Sequence, residues 1–349
     1  MIKSKLSQAL SRRVPASRDG DLPALEQIER LTEENRRRPD PKRESRILRA
    51  RHRAFAEIDR SAPDSAPEML SEALVAPGAW ELEAGLPSVP AGNLSAELIR
   101  AAFLEYGSLL VRGLVPAERA RELIAGIDQA FEARDAFLGG AAAADTRPWF
   151  EPFKPDPEYL KGEIDWNRTS AGGGSVWAAD SPRMMFELLE TFAEAGTDRV
   201  IADYLGERPV LSMKKSVLRR VTRDSGTSWH QDGAFLGEGL RTLNVWLALN
   251  RCGDVAPGMD VVPKRLDEIV PTGTEGAMFD WAVADQLVDE LAEGEPSRPI
   301  FEPGDALLFD HLCMHRTASE PTMTEQRYAT ETWCFAGSTY PAQQVPLVV

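Results

Sequence analysis

The sequence predicts a mainly β core of the double-stranded β-helix, or jelly-roll, type with flanking helices and an N-terminal helical arm. Three observations point there. Residues 241–249 alternate, with Thr242, Asn244, Trp246 and Ala248 on one face and Leu243, Val245, Leu247 and Leu249 on the other, the period-two pattern of a strand. Residues 210–221, 303–310 and 327–335 are further short runs of apolar, β-branched or aromatic residues bounded by turn signals, and many short strands separated by turns fit a jelly roll. In residues 98–106, 123–131 and 185–204 the apolar positions recur instead at helical spacing.

Taken in order, residues 1–60 hold sixteen Lys and Arg against ten Asp and Glu, a net +6. Arg36-Arg37-Arg38 and the run Lys42 to Arg53 could bind an anionic surface, but charge runs on helices usually form solvated faces. The segment reads as a peripheral helical arm with His52 at its surface. Residues 61–90, rich in Pro, Ala, Ser and Glu, form a connector. We therefore divide the chain into residues 1–90, arm and connector, and residues 91–349, the β-helix domain. Within the latter, Ser95 offers a helix cap, Leu98, Ile99, Ala102, Phe103 and Tyr106 share a face, and Gly107 ends the helix. A strand at Ser108 to Arg112 and a helix opened by Pro116 follow, with Leu123, Ile124, Ile127, Ala130 and Phe131 inward. Residues 139–180 are glycine-rich and aromatic-rich; they read as an inserted loop covering the substrate, or as a surface loop pinned by its aromatics. Gly172-Gly173-Gly174 lacks the lysine and helix start of a phosphate loop. Helices opened by Pro182 and running through Val200, Ile201 and Tyr204 precede the strand at 210–221. A second insertion at about 252–295 includes an expected helix at Asp280 to Leu291.

A chain of 349 residues with 43% hydrophobic composition can bury a full core. Its formal net charge of −15 leaves −21 outside the arm, and an acidic body argues against nucleic acid as a partner. Cys252, Cys313 and Cys334 have no metal-type spacing and suggest a reducing compartment. Neither a signal peptide nor an apolar run of membrane-spanning length is evident. A soluble, cytoplasmic protein acting on a small molecule is expected.

The chemistry centres on Ser228-Trp229-His230-Gln231-Asp232-Gly233. In extended backbone His230 and Asp232 point the same way, so an imidazole and a carboxylate could grip one metal ion. Such a pair is often completed by a second histidine around iron(II), although a His-x-Asp triplet on its own is usually just a solvated polar pair. The chain has four histidines, His52, His230, His311 and His315. Two of them, His311 and His315, follow the strand that Pro303-Gly304-Asp305 opens, and Arg327 begins the next strand.

This order, Trp229-His230-Gln231-Asp232, then Gly304-Asp305, His315 and Arg327, resembles the phytanoyl-CoA dioxygenase family of iron(II)- and 2-oxoglutarate-dependent oxygenases. The similarity extends upstream to Ile99 to Gly107 and Leu110 to Leu114, covering about residues 92–340. The ten residues from Asp305 to His315 and the twelve from His315 to Arg327 favour His315 over His311. The resemblance implies that His230, Asp232 and His315 ligate iron(II), and that Arg327, helped by Thr317, pairs with the far carboxylate of 2-oxoglutarate. Trp246 matches a tryptophan near the cosubstrate, or is simply core. Dioxygen would be consumed, with release of succinate and carbon dioxide and hydroxylation of an unactivated C–H bond. The carboxylate of Asp232 stands where related halogenases carry a small residue, which favours hydroxylation. The family's turn ending Pro-Gly-Ser-His is here Val261-Val262-Pro263-Lys264-Arg265-Leu266, which weakens the transfer of the namesake's acyl-CoA substrate to this chain. Two alternatives remain open: a cupin-like metalloenzyme that does not use 2-oxoglutarate, and a non-catalytic binding protein on the same scaffold.

Overall fold

The computed structural model describes residues 22–61, 78–159, 174–292 and 294–349. Its elements are α1 (Ala24–Arg37), α2 (Pro41–Ala54), β1 (Glu81–Glu83), β2 (Leu86–Pro90), α3 (Ala96–Tyr106), β3 (Ser108–Arg112), α4 (Ala117–Leu138), α5 (Ala143–Thr146), β4 (Ser175–Trp177), α6 (Pro182–Glu194), α7 (Thr197–Leu205), β5 (Pro209–Val221), α8 (Gly233–Leu236), β6 (Thr242–Ala248), β7 (Gly258–Val261), α9 (Asp285–Ala292), β8 (Ala306–Phe309), β9 (His315–Ala318), β10 (Arg327–Ala336) and β11 (Pro346–Val348). The large sheet runs β1-β2-β3-β8-β6-β10-β5-β11, with β4 also on β5; a small sheet pairs β7 with β9. Single bridges extend the small sheet at both edges, His230 to His315 and Val261 to Ser297.

The alternation in β6 sorts its side chains between two layers. Leu243, Val245 and Leu247 face the cluster shared with α3, α4, α6 and α7. Trp246 and Ala248 face the opposite way, into the space between the sheets, with Leu307, Phe309, Trp333 and Phe335. Both faces of β6 are therefore buried, and a fully buried large apolar side chain stabilises the fold by roughly 1.5–3 kcal/mol. The sheet thus forms one wall of the β-helix, with helices outside and the site inside.

Local chemistry sets the element ends. Ser95 accepts from the Leu98 amide, and Gly107 closes α3 at φ 73°. Gly304, at φ +97°, opens the turn before β8; a Cβ there would stand 2.0 Å from the Val115 carbonyl oxygen. The carboxylate of Asp305 accepts from the amides of Gly113 and Glu302, both at 2.8 Å, and from Arg112 at 2.5 Å. Gly304-Asp305 therefore fastens β8 to β3.

The arm is not peripheral, and its charges are not all solvated. Helix α2 packs on β11 and α6, and its Arg51 donates to the Val348 carbonyl at 2.8 Å. His52, expected at the surface, is buried. Its Nδ1 bonds the Pro346 carbonyl at 2.8 Å, and its Nε2 accepts from the Asp156 amide at 2.9 Å. Glu44 and Arg183 form a further ion pair across this junction. Within the 139–180 insertion, Phe150 and Phe153 are core residues, and Phe153 sits edge-on to His52. The part with Trp166 and Gly172-Gly173, on which a substrate cover would depend, lies outside the described residues.

Candidate metal and cosubstrate site

His230 and His315 exchange backbone hydrogen bonds in both directions at 3.0 Å, so the small sheet itself sets the two imidazoles side by side. Their ring centroids are 4.4 Å apart. The extended backbone expected through Asp232 is not observed: Asp232 has φ −63° and ψ −21° and starts α8. A one-residue bridge followed by a helical turn, not strand alternation, brings the carboxylate back toward the imidazoles. Its Oδ2 lies 3.6 Å from His315 Nε2, and one ligand atom from each of His230, Asp232 and His315 falls within 4.8 Å of the others.

Both imidazoles are held by carbonyls, His230 Nδ1 by Ser228 at 2.9 Å and His315 Nδ1 by Cys313 at 3.0 Å. A carbonyl only accepts, so each Nδ1 carries the hydrogen and each Nε2 presents a lone pair, the arrangement that orients histidine as a metal ligand. Burial, with the neighbouring charge of His315, lowers the pKa of His230 to about 4. Burial alone would raise Asp232, but Lys215 and the two histidines outweigh it and hold the carboxyl well below its ordinary range. Two imidazoles held through their Nδ1 atoms beside an ionised carboxylate form the donor set that a divalent cation requires.

Lys215, on β5, donates to Asp232 Oδ1 at 2.6 Å and lies over the Phe235 ring, 5.1 Å from its centroid. Farther along the same wall Arg219 grips Glu331 through two bonds of 2.9 and 3.2 Å.

Arg327 behaves differently. It is only 2% exposed, and burial lowers its pKa to about 10, so it stays charged at neutral pH. Its bonds are to the Gly258 carbonyl at 3.2 Å and, at the limit of 3.5 Å, from both terminal nitrogens to Thr317 Oγ1. Its Nε has no partner, and among the described residues no carboxylate pairs with it. The guanidinium stands 5.5 Å from the Trp246 ring centroid. Trp246 itself is fully buried against Phe301, with its indole N–H unpartnered. It thus both packs the core and faces the arginine.

All six residues singled out in the sequence, His230, Asp232, His315, Arg327, Thr317 and Trp246, line one cavity of about 880 Å³. His311 is buried but lies off this cavity, and its carbonyl accepts from the Gly233 amide. The turn at 262–266 also stays away; Val262 and Leu266 pack with Trp229 and Met314. In its place an aromatic rim borders the opening. Trp281 meets His230 edge-on at 5.8 Å and Phe235 at 5.9 Å, and stacks on Phe279 at 5.2 Å. Phe235, Met278 and Phe279 are 40%, 76% and 49% exposed, although large apolar side chains normally avoid water. Sequence reasoning missed this rim and Lys215. A lysine pair inside an otherwise apolar strand, Met213-Lys214-Lys215-Ser216-Val217, was the available signal for the latter.

A jelly roll whose interior carries two histidines and a carboxylate, near an arginine that no carboxylate pairs with among the described residues, offers a candidate site for one metal ion with room for an organic anion. The sequence profile of the phytanoyl-CoA dioxygenase family matches residues 103–327, and the chain belongs to that family of iron(II)- and 2-oxoglutarate-dependent oxygenases. Similar solved structures include EctD from S. alaskensis with 2-oxoglutarate and 5-hydroxyectoine, at 19% identity and TM-score 0.47, covering 70% of this chain and 77% of that one. SnoK, a non-heme α-ketoglutarate-dependent carbocyclase from nogalamycin biosynthesis, is similar at 15% identity and TM-score 0.45, covering 71% and 86%. EvdO2 from Micromonospora carbonacea var. aurantiaca, complexed with 2-oxoglutarate, is similar at 15% identity and TM-score 0.42, covering 71% and 90%. No curated protein matches the chain. Among the described residues no helix is long and apolar enough to cross a membrane.

Proposed function

We propose that this protein hydroxylates an unactivated C–H bond of a small molecule, using iron(II), dioxygen and 2-oxoglutarate, with release of succinate and carbon dioxide. His230, Asp232 and His315 would hold the iron, which would supply dioxygen activation coupled to decarboxylation of the cosubstrate. Arg327 would take the far carboxylate of 2-oxoglutarate, with the Thr317 hydroxyl beside it. Residues of the aromatic rim, Phe235 and Trp281, would shield the site from water and hold the apolar part of the substrate.

The observation that carries this reading is Arg327: a buried cation with an orphan N–H, inside the same cavity as the ligand trio. An uncompensated buried charge is costly, and a planar guanidinium matches a carboxylate through two parallel bonds. A cupin-like metalloenzyme without 2-oxoglutarate would leave that cation without a use.

Anaerobic titration tests the reading. Purified protein given iron(II) and 2-oxoglutarate together should develop a weak visible metal-to-ligand band that neither produces alone, and aerobic incubation with substrate candidates should release succinate. Folded, iron-loaded protein that shows no band with 2-oxoglutarate would refute cosubstrate binding.

A further inference from the structure

We propose that Lys215 is a resident counter-ion of the metal site, a positioning residue that keeps Asp232 assembled while no metal is bound and holds metal affinity below what the ligand trio alone would give. The proposal rests on the metal reading of His230, Asp232 and His315.

Asp232 is buried, and a buried carboxylate without a counter-charge is costly. Among the described residues Lys215 is the one lysine or arginine paired with it, at 2.6 Å to Oδ1. The other oxygen, Oδ2, is the one turned toward His315 Nε2 at 3.6 Å. The ammonium therefore occupies one oxygen and leaves the other, on the side of the imidazoles, as the one that would meet an ion.

The backbone is shaped to deliver this lysine. Along most of their length β5 and β10 pair residue for residue, but the register jumps from Thr332↔Ser216 to Cys334↔Leu211. Residues 212–215 of β5 thus stand opposite Trp333 alone. Bulges of this kind re-aim side chains beside active sites. The Lys215 amide donates to Ser212 Oγ at 3.2 Å, and that hydroxyl donates to Gln344 Oε1 at 2.6 Å, so the detour is tied down. Phe235 supports the ammonium from one side. The cavity's half-buried carboxylate, Glu331, already has Arg219, so Lys215 is not required there.

A divalent ion entering the trio meets this ammonium across Asp232, and their repulsion opposes binding. Replacing Lys215 by an uncharged side chain of similar length should therefore do two opposite things. It removes support from the metal-free protein and it strengthens metal binding. A residue with a merely structural role would weaken both.

Calorimetric titration of the metal-free full chain with manganese(II), and anaerobically with iron(II), tests this, together with melting curves in the presence and absence of metal. Lys215→Met should lower the metal Kd about tenfold and lower the Tm of the metal-free protein, so that metal raises Tm more than it does in the unaltered chain. Lys215→Gln should shift the metal Kd in the same direction, and serves if the methionine variant does not fold. Lys215→Arg, which keeps the charge, should stay within about threefold of the original Kd. Unchanged or weaker metal binding by folded Lys215→Met or Lys215→Gln overturns the proposal. So does a loss confined to 2-oxoglutarate affinity, which would make Lys215 a cosubstrate contact. Failure of the unaltered chain to bind metal would overturn the underlying site reading instead.

Discussion

At one end of the cavity Asp232 is buried against its own counter-ion, Lys215; at the other Arg327 is buried with no carboxylate beside it among the described residues. Both are charged groups removed from water, and both would be expensive if left alone. The contrast separates two kinds of polar burial. Asp232 is satisfied from within, so it can wait for an ion without distorting the fold. Arg327 is satisfied only in part, by a carbonyl and a hydroxyl, so the fold has accepted a cost that an incoming anion can repay. The unmet bonds of the guanidinium favour an anion at that end, whereas a cation at the carboxylate end must bind against the resident ammonium.

The sharpest way to break this comparison is to remove the carboxylate. Asp232→Ala should abolish iron-dependent turnover and weaken iron(II) binding by at least about a hundredfold, because it deletes a ligand and leaves the Lys215 ammonium facing the incoming ion. Succinate release and calorimetry measure the two effects. Turnover at the original rate would show that Asp232 is no ligand.

Truncating the other end should give a smaller and more selective loss. Removing one partner of a buried, hydrogen-bonded charge pair costs roughly 2–5 kcal/mol, so Arg327→Ala should raise the apparent KM for 2-oxoglutarate at least about thirtyfold. The iron(II) Kd should move less than about threefold, since the arginine touches no ligand side chain. Equal losses of both would make Arg327 a structural residue. The same contrast has a signature in the ligand-free protein: Arg327→Leu should not lower its Tm, because that substitution removes an uncompensated charge from an apolar surround.

The order of the site residues along the chain was legible because each is attached to a local signal. Gly304 must occupy a left-handed turn, β6 and β10 have the alternation and β-branched content of strands, and Arg327 opens β10 directly. What the chain hid were features made by contacts between distant segments. The turn that swings Asp232 inward depends on the Gly233 amide bonding the His311 carbonyl, some eighty residues away. Lys215 reads locally as one charge in a strand, and only the register slip against β10 aims it at the metal site. The burial of His52 was hidden for the same reason. Its run of arginines looks solvated, yet its two ring nitrogens are matched by Pro346 and Asp156, far from it in sequence.

His52 gives the smallest effect and extends the comparison to a group that is satisfied completely from within. Its Nδ1 faces a carbonyl and must donate, while its Nε2 accepts from the Asp156 amide. Only the neutral ring can do both. Protonating Nε2 sets two donors against each other, and burial lowers the pKa below the ordinary 6.5, against the opposing pull of the Pro346 carbonyl, Asp156 and Glu158. The folded state then binds fewer protons than the unfolded state just below pH 6.5, so this contribution is intact above that pH and is lost as pH falls, at no more than about 1.4 kcal/mol for each unit. Melting temperature should therefore drop between pH 7 and 5 more steeply in the original chain than in His52→Gln, which should itself cost about 1–2 kcal/mol at pH 7. Because His230 and His311 titrate in both proteins, only the difference between the two curves reports on His52; parallel curves would mean that the arm tolerates a charged imidazole at this junction.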